Sequence, residues 1–237
     1  MRKIDPPAES GGSLPANQTA ANGSGIKIFW YGQSCFLIET PGKKIITDPF
    51  YNQMGYPMPN IASDIVTVSH QHGDHNAVAT VPGQPQVVQT TGVHTFDGIS
   101  ITGIKSFHDQ TKGSQRGKNI IFVIQAKGIR ICHLGDLGHL LDQPTLKEIG
   151  EVDVLLLPVG GYYTIDAGEA KEVAAQINPY VVVPMHYKTE YIRLPISPVT
   201  EFLQLYANYS KQKQLDLPAG KLPDQRQQVV LLELASQ

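Results

Sequence analysis

The sequence predicts an α/β domain, and three features of the chain indicate this fold class. Short runs of β-branched and other apolar residues, typical of buried strands, recur between residues 44 and 234. Apolar residues at helical spacing separate some of these runs. Several runs end at a histidine or an aspartate, and strand ends are where α/β proteins place functional residues. The 237 residues, 41% of them hydrophobic, suit one domain, which we predict to span residues 26–237.

The first of these runs to bear on function, residues 44–47, leads to Asp48 and Pro49. A carboxylate at this position can accept a hydrogen bond from the N–H of a metal-binding histidine and so fix the orientation of its ring. An Asp-Pro pair is equally typical of an ordinary turn. The sequence leaves both interpretations of Asp48 open.

The next run, residues 65–69, opens into the densest group of ligand-type residues in the chain, namely His70, His72, Asp74 and His75. Side chains alternate in an extended segment, so His70 and His72 share a side and can reach one metal ion. A turn at Gly73 directs Asp74 and His75 at a second ion. Two ions about 3.5–4 Å apart can share a hydroxide, and mixed imidazole and carboxylate ligands suit zinc, iron or manganese.

Three later strand-like runs each end at another residue of ligand type. They are residues 99–107 before His108, residues 128–133 before Asp136, and residues 180–185 before His186. Gly135 allows the backbone to turn closely before Asp136, whose carboxylate is able to bridge two ions. We therefore expect these three residues to complete a dinuclear site.

The remaining elements are two helices and a closing strand. Asp166 and Glu169 form a predicted capping box, after which apolar residues recur at helical spacing up to Asn178 and Pro179. A second helix is predicted to start at residues 197–198, with its inward stripe formed by Val199, Phe202, Leu203 and Tyr206. Residues 228–234 predict the last strand.

Two cysteines, Cys35 and Cys132, lie in predicted core strands, where free cysteine packs as a small hydrophobic residue. Neither a CxxC pair nor a histidine-flanked nucleophile pattern supports thiol chemistry. We expect both thiols to be free and buried.

Taken together, several motifs resemble those of the metallo-β-lactamase-fold superfamily of metal-dependent hydrolases. They are YGQSCFLI at residues 31–38, IITDP at 45–49, HQHGDH at 70–75, GDLG at 135–138, LPVG at 157–160 and PMHY at 184–187. The chain is more narrowly similar to the ascorbate-phosphate-lactonase-like subgroup, from about Gly25 to the C-terminus. The resemblance implies a four-layer αββα sandwich with a dinuclear site, usually zinc, at one edge of its two sheets.

The resemblance also implies a ligand set, position by position. The first ion would be held by His70, His72 and His108, the second by Asp74, His75 and His186, with Asp136 bridging. Asp74 would in addition act catalytically, by orienting the hydroxide and relaying a proton to the leaving group.

Two departures from the superfamily pattern bear on these expectations. His108 lies in the sequence SFHD, whereas the superfamily often places its third histidine in a PGHT-like turn. True β-lactamases of this type usually have a cysteine in place of Asp136 and no histidine in place of His75. This difference argues against antibiotic hydrolysis as the native role.

The predicted function is a metal-dependent hydrolase, with two divalent ions, zinc first and manganese or iron as alternatives. A metal-bridging hydroxide would attack a small polar ester, lactone or phosphodiester. An iron-dependent redox enzyme of the same fold and a non-catalytic metal-binding scaffold or sensor stay open. Tyr162 and Tyr163 follow a glycine turn and are catalytic candidates, with a surface position as the alternative.

Other histidines and two loops receive weaker assignments. His139 is expected to line the pocket, and His133 and His94 to be structural or exposed. Residues 50–59 and 112–118 are expected to shape specificity and to act as lids.

Composition excludes some partners. The net charge of −2 and the absence of a Lys/Arg-rich block give no footprint for nucleic acid or an anionic membrane surface. No run approaches the roughly 18 apolar residues of a membrane span. We therefore expect a small-molecule substrate and no nucleic-acid or membrane partner, with homo-oligomer formation left open.

The N-terminal residues 1–25 are rich in Ser, Gly, Pro, Ala and Asn and predict a flexible tail. They lack an apolar signal region. We expect a cytoplasmic protein, or an exported one if the tail followed a removed signal.

Overall fold

A computed structural model describes residues 25–57, 60–218 and 221–235. The predicted N-terminal tail, apart from Gly25, lies outside the described residues. So does the end of the first predicted lid loop, at residues 58 and 59.

Fourteen strands are present in the part of the chain that the structure describes. In chain order they are β1 (Ile26–Gly32), β2 (Cys35–Thr40), β3 (Lys43–Thr47), β4 (Ile65–Thr67), β5 (Gln86–Val88), β6 (Gly92–Phe96), β7 (Ile99–Phe107), β8 (Lys118–Ala126), β9 (Ile129–His133), β10 (Val154–Pro158), β11 (Val181–Met185), β12 (Tyr209–Gln212), β13 (Leu215–Leu217) and β14 (Gln228–Leu232). They form a six-stranded sheet in the order β13-β1-β2-β3-β4-β5 and an eight-stranded sheet in the order β12-β14-β11-β10-β9-β8-β7-β6.

The centre of the eight-stranded sheet is parallel. β9, β10, β11 and β14 pair in parallel, and every residue of β10 and β11 is buried. Strands that are covered on both faces have no solvent-facing side, which explains why these two appear in the sequence as continuous apolar runs.

The two sheets pack face to face. Ile28 and Phe36 of the six-stranded sheet belong to the same buried cluster as Ile124 and Val183 of the eight-stranded sheet. Alternate residues of the six-stranded sheet, Leu37 among them, point to its other face. That face is covered by residues of connecting segments, including Phe50, Tyr56, Ile192 and Ile196. This architecture confirms the predicted fold class.

Three α-helices lie within the described residues: α1 (Gln143–Ile149), α2 (Ala167–Ile177) and α3 (Thr200–Leu203). The predicted capping box is present, because Asp166 accepts from the backbone N–H of Glu169 and Glu169 accepts from that of Asp166. α3 is a single turn, shorter than the sequence suggested, although Phe202 and Leu203 are buried as expected. No described helix is both long and apolar enough to cross a membrane.

The topology brings the ends of several strands to one place. β7 and β9 are both antiparallel to β8 and therefore run in the same direction as β10 and β11. In the other sheet, β3 and β4 are parallel. The segments that follow β3, β4, β7, β9 and β11 contain Asp48, the cluster at residues 70–75, His108, Asp136 and His186, respectively.

Candidate metal centre

The seven residues predicted to bind metal converge at this edge of the sandwich. They fall into two groups: His70, His72 and His108 in one, and Asp74, His75, Asp136 and His186 in the other. Within each group, all ligand atoms lie within 4.8 Å of one another. The two groups correspond to the two ion sites expected from the sequence. His72 is exposed and Asp74 is partly exposed, whereas the other five are buried.

Asp136 belongs to the second group but also lies close to histidines of the first. Its Oδ2 atom is 3.2 Å from Nε2 of His75, 3.2 Å from Nε2 of His108 and 3.3 Å from Nε2 of His186. Nε2 of His70 is slightly farther away, at 3.8 Å. One carboxylate oxygen thus faces imidazoles of both groups, as a bridging ligand would require.

Unusual backbone geometry accompanies this convergence. Gly135 has a φ of +56°, and a Cβ at this position would collide with Asn119 and Ser69. His186 and Asp48, which are not glycines, also have positive φ angles, of 51° and 39°. Such conformations are costly and persist only where the surrounding structure enforces them, and they are common at functional sites.

Asp48 contacts His75 at Nδ1, the ring nitrogen other than the one that faces Asp136. Its Oδ2 atom lies 2.9 Å from Nδ1 of His75, and the carboxylate accepts hydrogen bonds from the backbone N–H and the hydroxyl of Ser69. The hydroxyl of Ser69 also lies 3.0 Å from Nδ1 of His70. With Nδ1 engaged in this way, each ring presents Nε2 to the centre. Of the two interpretations of Asp48, the structure supports the one in which its carboxylate orients a histidine ring.

Sequence reasoning missed two polar contacts from the turn between β1 and β2. The side-chain amide of Gln33 donates to Oδ2 of Asp74 at 3.3 Å, and the hydroxyl of Ser34 lies 3.5 Å from Oδ1 of Asp136. Both residues are fully buried. Gln33 and Ser34 belong to the motif YGQSC that carried part of the family resemblance. Residue patterns gave no reason to place this turn beside residues 74 and 136, which are distant in sequence.

The buried charges of the centre perturb one another strongly. Burial disfavours a charged His75, but the carboxylates of Asp136 and Asp74 outweigh burial and raise its pKa well above the ordinary value. Burial also disfavours a charged Asp136, yet His186 and His75 hold its pKa well below the usual range. At His70, burial and the nearby His75 lower the pKa to about 3.

The donor set fits divalent metal ions. Nε2 of His70 and Nε2 of His75 are buried and make no hydrogen bond of acceptable geometry within the described residues. Buried nitrogens without partners are rare in folded proteins, and a coordinated cation would satisfy both. Five imidazoles and two carboxylates are ligands that zinc, iron and manganese accept.

The centre opens into a cavity of about 620 Å³. Its lining includes His72, Asp74, Asp136 and His186, together with Tyr163. Tyr162, the other candidate tyrosine, is not part of this lining and its exposed fraction is 63%.

The other histidines lie outside the cavity. His139 was expected to line it, but its ring instead accepts a hydrogen bond from the backbone N–H of Phe107 and approaches the carbonyl of Leu140. His133 is buried with Nε2 2.9 Å from the carbonyl oxygen of Ser34, and His94, on β6, contacts Thr90. Both have the structural or surface positions expected.

Both cysteines are free and buried, as expected. Burial, assisted at Cys35 by the nearby Asp48, raises the pKa of each thiol, at Cys132 to about 12. A protonated thiol is a poor nucleophile, so thiol chemistry is not supported.

Comparison with known proteins identifies the relatives of this chain. Residues 27–186 match the family model described as the beta-lactamase superfamily domain. A metal-dependent hydrolase of Thermoplasma volcanium is 31% identical over 193 residues, which cover 69% of this chain and 84% of the relative. A metal-dependent hydrolase of Carboxydothermus hydrogenoformans is also 31% identical, with 69% and 85% covered.

A solved structure from Thermotoga maritima, described as a candidate zinc-dependent hydrolase of the metallo-β-lactamase superfamily, is 46% identical. It superposes with a TM-score of 0.75 and covers 87% of this chain and 98% of its own. The predicted superfamily and the predicted enzyme class, a metal-dependent hydrolase, are thereby confirmed. The chain belongs to the metallo-β-lactamase superfamily.

Proposed function

We propose that the centre binds two divalent ions, zinc in the first place and manganese or iron as alternatives. One ion is held by His70, His72 and His108, the other by Asp74, His75 and His186, and Asp136 bridges them. The observation that carries the proposal is the position of Asp136, whose Oδ2 lies 3.2–3.8 Å from imidazole nitrogens of both groups. A single ion would leave part of this donor set without a partner.

When bound, such a pair of ions supplies a water of lowered pKa and an electrophilic contact for the substrate oxygen. The residues of the chain do the rest. Asp74 and Asp136 both contact His75 and line the cavity, but the side chain of Asp74 is 22% exposed and that of Asp136 only 2%. We assign Asp74 the orientation of the attacking water and the transfer of its proton. The amide of Gln33 restricts the rotation of this carboxylate.

Of the two tyrosines predicted as catalytic candidates, we propose that Tyr163 acts on the substrate, because it lines the cavity and Tyr162 does not. Its hydroxyl can donate a hydrogen bond to a developing oxyanion or to the leaving group.

The proposed reaction is hydrolysis of a small polar ester, lactone or phosphodiester, and the resemblance to the ascorbate-phosphate-lactonase-like subgroup is the reason for including lactones. A cavity of about 620 Å³ accommodates a molecule of metabolite size. The Zn-dependent hydrolase description of the Thermotoga relative supports zinc as the first metal to test.

The proposal predicts that hydrolysis needs both the metal and Asp74. Protein treated with EDTA should lose activity on a panel of lactones, carboxylic esters and phosphodiesters, and zinc should restore it. Asp74→Ala should lower kcat by at least about 100-fold, the usual contribution of a general acid or base, while metal analysis still finds bound ion. Asp97→Ala, at a side chain 85% exposed, is the matched control.

Two results would contradict the proposal. Full activity in metal-free protein would exclude the metal mechanism, and unchanged activity of Asp74→Ala would remove its assigned role. Oxygen consumption by iron-loaded protein without hydrolysis of any panel member would favour the redox alternative, and metal binding without either activity would favour a scaffold or sensor.

A further inference from the structure

A second cavity, of about 630 Å³, lies on the other side of the histidine cluster. His70 and His72 form part of its wall. His72 and Arg116 line both this cavity and the first one. The two cavities are therefore neighbours that share these two residues as part of their walls.

The second cavity is lined by three cationic side chains, Lys105, Arg116 and Lys118, and no carboxylate of the described residues belongs to its lining. Lys105 and Lys118 occupy diagonal positions across the β7–β8 pair, because Lys105 pairs with Ile120 and Phe107 pairs with Lys118. They therefore project from the same face of the sheet. In the part of the chain that the structure describes, none of the three forms an ion pair within 4.0 Å.

The clustering of three unpaired cations is not explained by an excess of basic residues in the chain. The chain has 21 acidic and 19 basic residues, so carboxylates are available to pair with them. Unpaired cations around one concave surface raise its electrostatic potential and attract anions.

The backbone at Arg116 is fixed by Asp109, the residue after His108. The carboxylate of Asp109 accepts hydrogen bonds from the backbone N–H groups of Thr111, Gly113, Gln115 and Arg116 and from the hydroxyl of Thr111. The loop that follows β7 is thereby folded around one buried side chain. Burial opposes the charge on Asp109, but these bonds outweigh it and lower its pKa.

The guanidinium of Arg116 also has a fixed neighbour. It lies over the ring of Tyr163, 5.6 Å from the ring centroid, and the side chain is only partly exposed. A guanidinium that is stacked on an aromatic ring and attached to an ordered loop loses little freedom when it binds a ligand. Its planar fork of donors matches a carboxylate or a phosphate.

We propose that Arg116, with Lys105 and Lys118, binds an anionic group of the substrate, a carboxylate or a phosphate, in the second cavity while the bond to be hydrolysed lies in the first. This inference rests on the proposed function. It makes Arg116 the residue that determines specificity for anionic over neutral substrates, and Asp109 the residue that positions it.

The test uses three 4-nitrophenyl acyl esters of equal length whose far ends are a methyl ester, a carboxylate or a phosphonate. Zinc-loaded protein should have a higher kcat/KM for the charged esters than for the neutral one. Arg116→Gln should reduce this preference by about 10- to 100-fold, the range expected for charge-assisted hydrogen bonds, because it should slow the charged esters more than the neutral one. Arg116→Lys should retain part of the preference. The charged ester whose kcat/KM falls more in Arg116→Gln identifies the preferred anion.

Lys147→Gln, at an exposed cation on α1, is the matched control and should have no effect. Arg116→Gln keeps the backbone bonds to Asp109, so we expect it to fold, and circular dichroism checks this. An absence of preference in the wild type, or equal losses on all three esters in Arg116→Gln, would overturn the inference.

A binding measurement separates failure of this inference from failure of the proposed function. Glutarate and inorganic phosphate are titrated calorimetrically into the full chain after removal of metal by EDTA. Arg116→Gln should weaken binding of the preferred anion at least about 10-fold, whereas Lys147→Gln should not. If no ester is hydrolysed but binding depends on Arg116, the anion site stands and the proposed function does not. Binding that is independent of Arg116 contradicts the anion site, even if the esters are hydrolysed.

Discussion

At the scale of single residues, the orientation of the ligand rings depends on buried partners outside the metal-binding set. Asp48 faces Nδ1 of His75 and also accepts two hydrogen bonds from Ser69, whose hydroxyl contacts His70. One carboxylate thus fixes residues of both proposed ion sites. The φ of 39° at Asp48 indicates that the chain tolerates backbone strain to keep the carboxylate beside His75.

We therefore predict that Asp48→Asn weakens metal binding although Asp48 is not a ligand. Loss of an outer-shell carboxylate typically lowers metal affinity by 10- to 100-fold, and we expect a decrease of that size here. Competition with a chromophoric chelator measures the affinity. Asp97→Asn, on the surface, is the control, and an affinity equal to that of the wild type would contradict the orienting role.

The seven candidate ligands were predictable because their residue types are unusual in such density and each follows an apolar run. Gln33 and Arg116 were not, because a glutamine in a turn and an arginine in a polar loop have no distinctive pattern along the chain. Their positions result from contacts with residues distant in sequence, Asp74 in one case and Tyr163 in the other.

At the scale of elements, strands that lead to ligands were the most predictable. β7 spans Ile99–Phe107, as the sequence indicated, and β11 agrees with the predicted run 180–185 within one residue at either end. β10 and β11 are continuous apolar runs because the sandwich covers both of their faces.

Elements without such a pattern were missed or predicted with the wrong length. β12, with three exposed residues and one of intermediate burial, has no alternation that could reveal a strand, and it forms at the sheet edge by pairing with β14. α3 ends after one turn, although the apolar spacing suggested a longer helix. Tertiary contacts, not local propensity, decide whether such a strand forms and where such a helix ends.

The capping box of α2 provides a prediction about stability. Asp166→Ala removes the acceptor for the backbone N–H of Glu169 and should lower the free energy of unfolding by about 1 kcal/mol. Urea denaturation measures this change. Glu172→Ala, exposed on the same helix, should stay within about 0.5 kcal/mol of the wild type. Equal stability of Asp166→Ala and the wild type would show that the capping interaction contributes nothing.

At the scale of the whole molecule, the site is a product of topology. Residues 48, 70–75, 108, 136 and 186 come from both sheets, and they meet because the strands before them end at one edge of the sandwich. The residue pattern at the ends of the apolar runs predicted that these residues meet in one site, and the family resemblance predicted the two-sheet arrangement, but residue patterns alone did not predict the order of the strands. The order of strands across a sheet depends on long-range pairing, which leaves little trace in local sequence.

The central claim is that Asp136 bridges two metal ions, and a crystal structure with anomalous data at the zinc edge tests it most directly. We predict two anomalous peaks per chain about 3.5–4 Å apart, one beside His70, His72 and His108 and the other beside Asp74, His75 and His186. Asp136 should contact both. A single peak at full occupancy, or two peaks of which Asp136 contacts only one, would contradict the account.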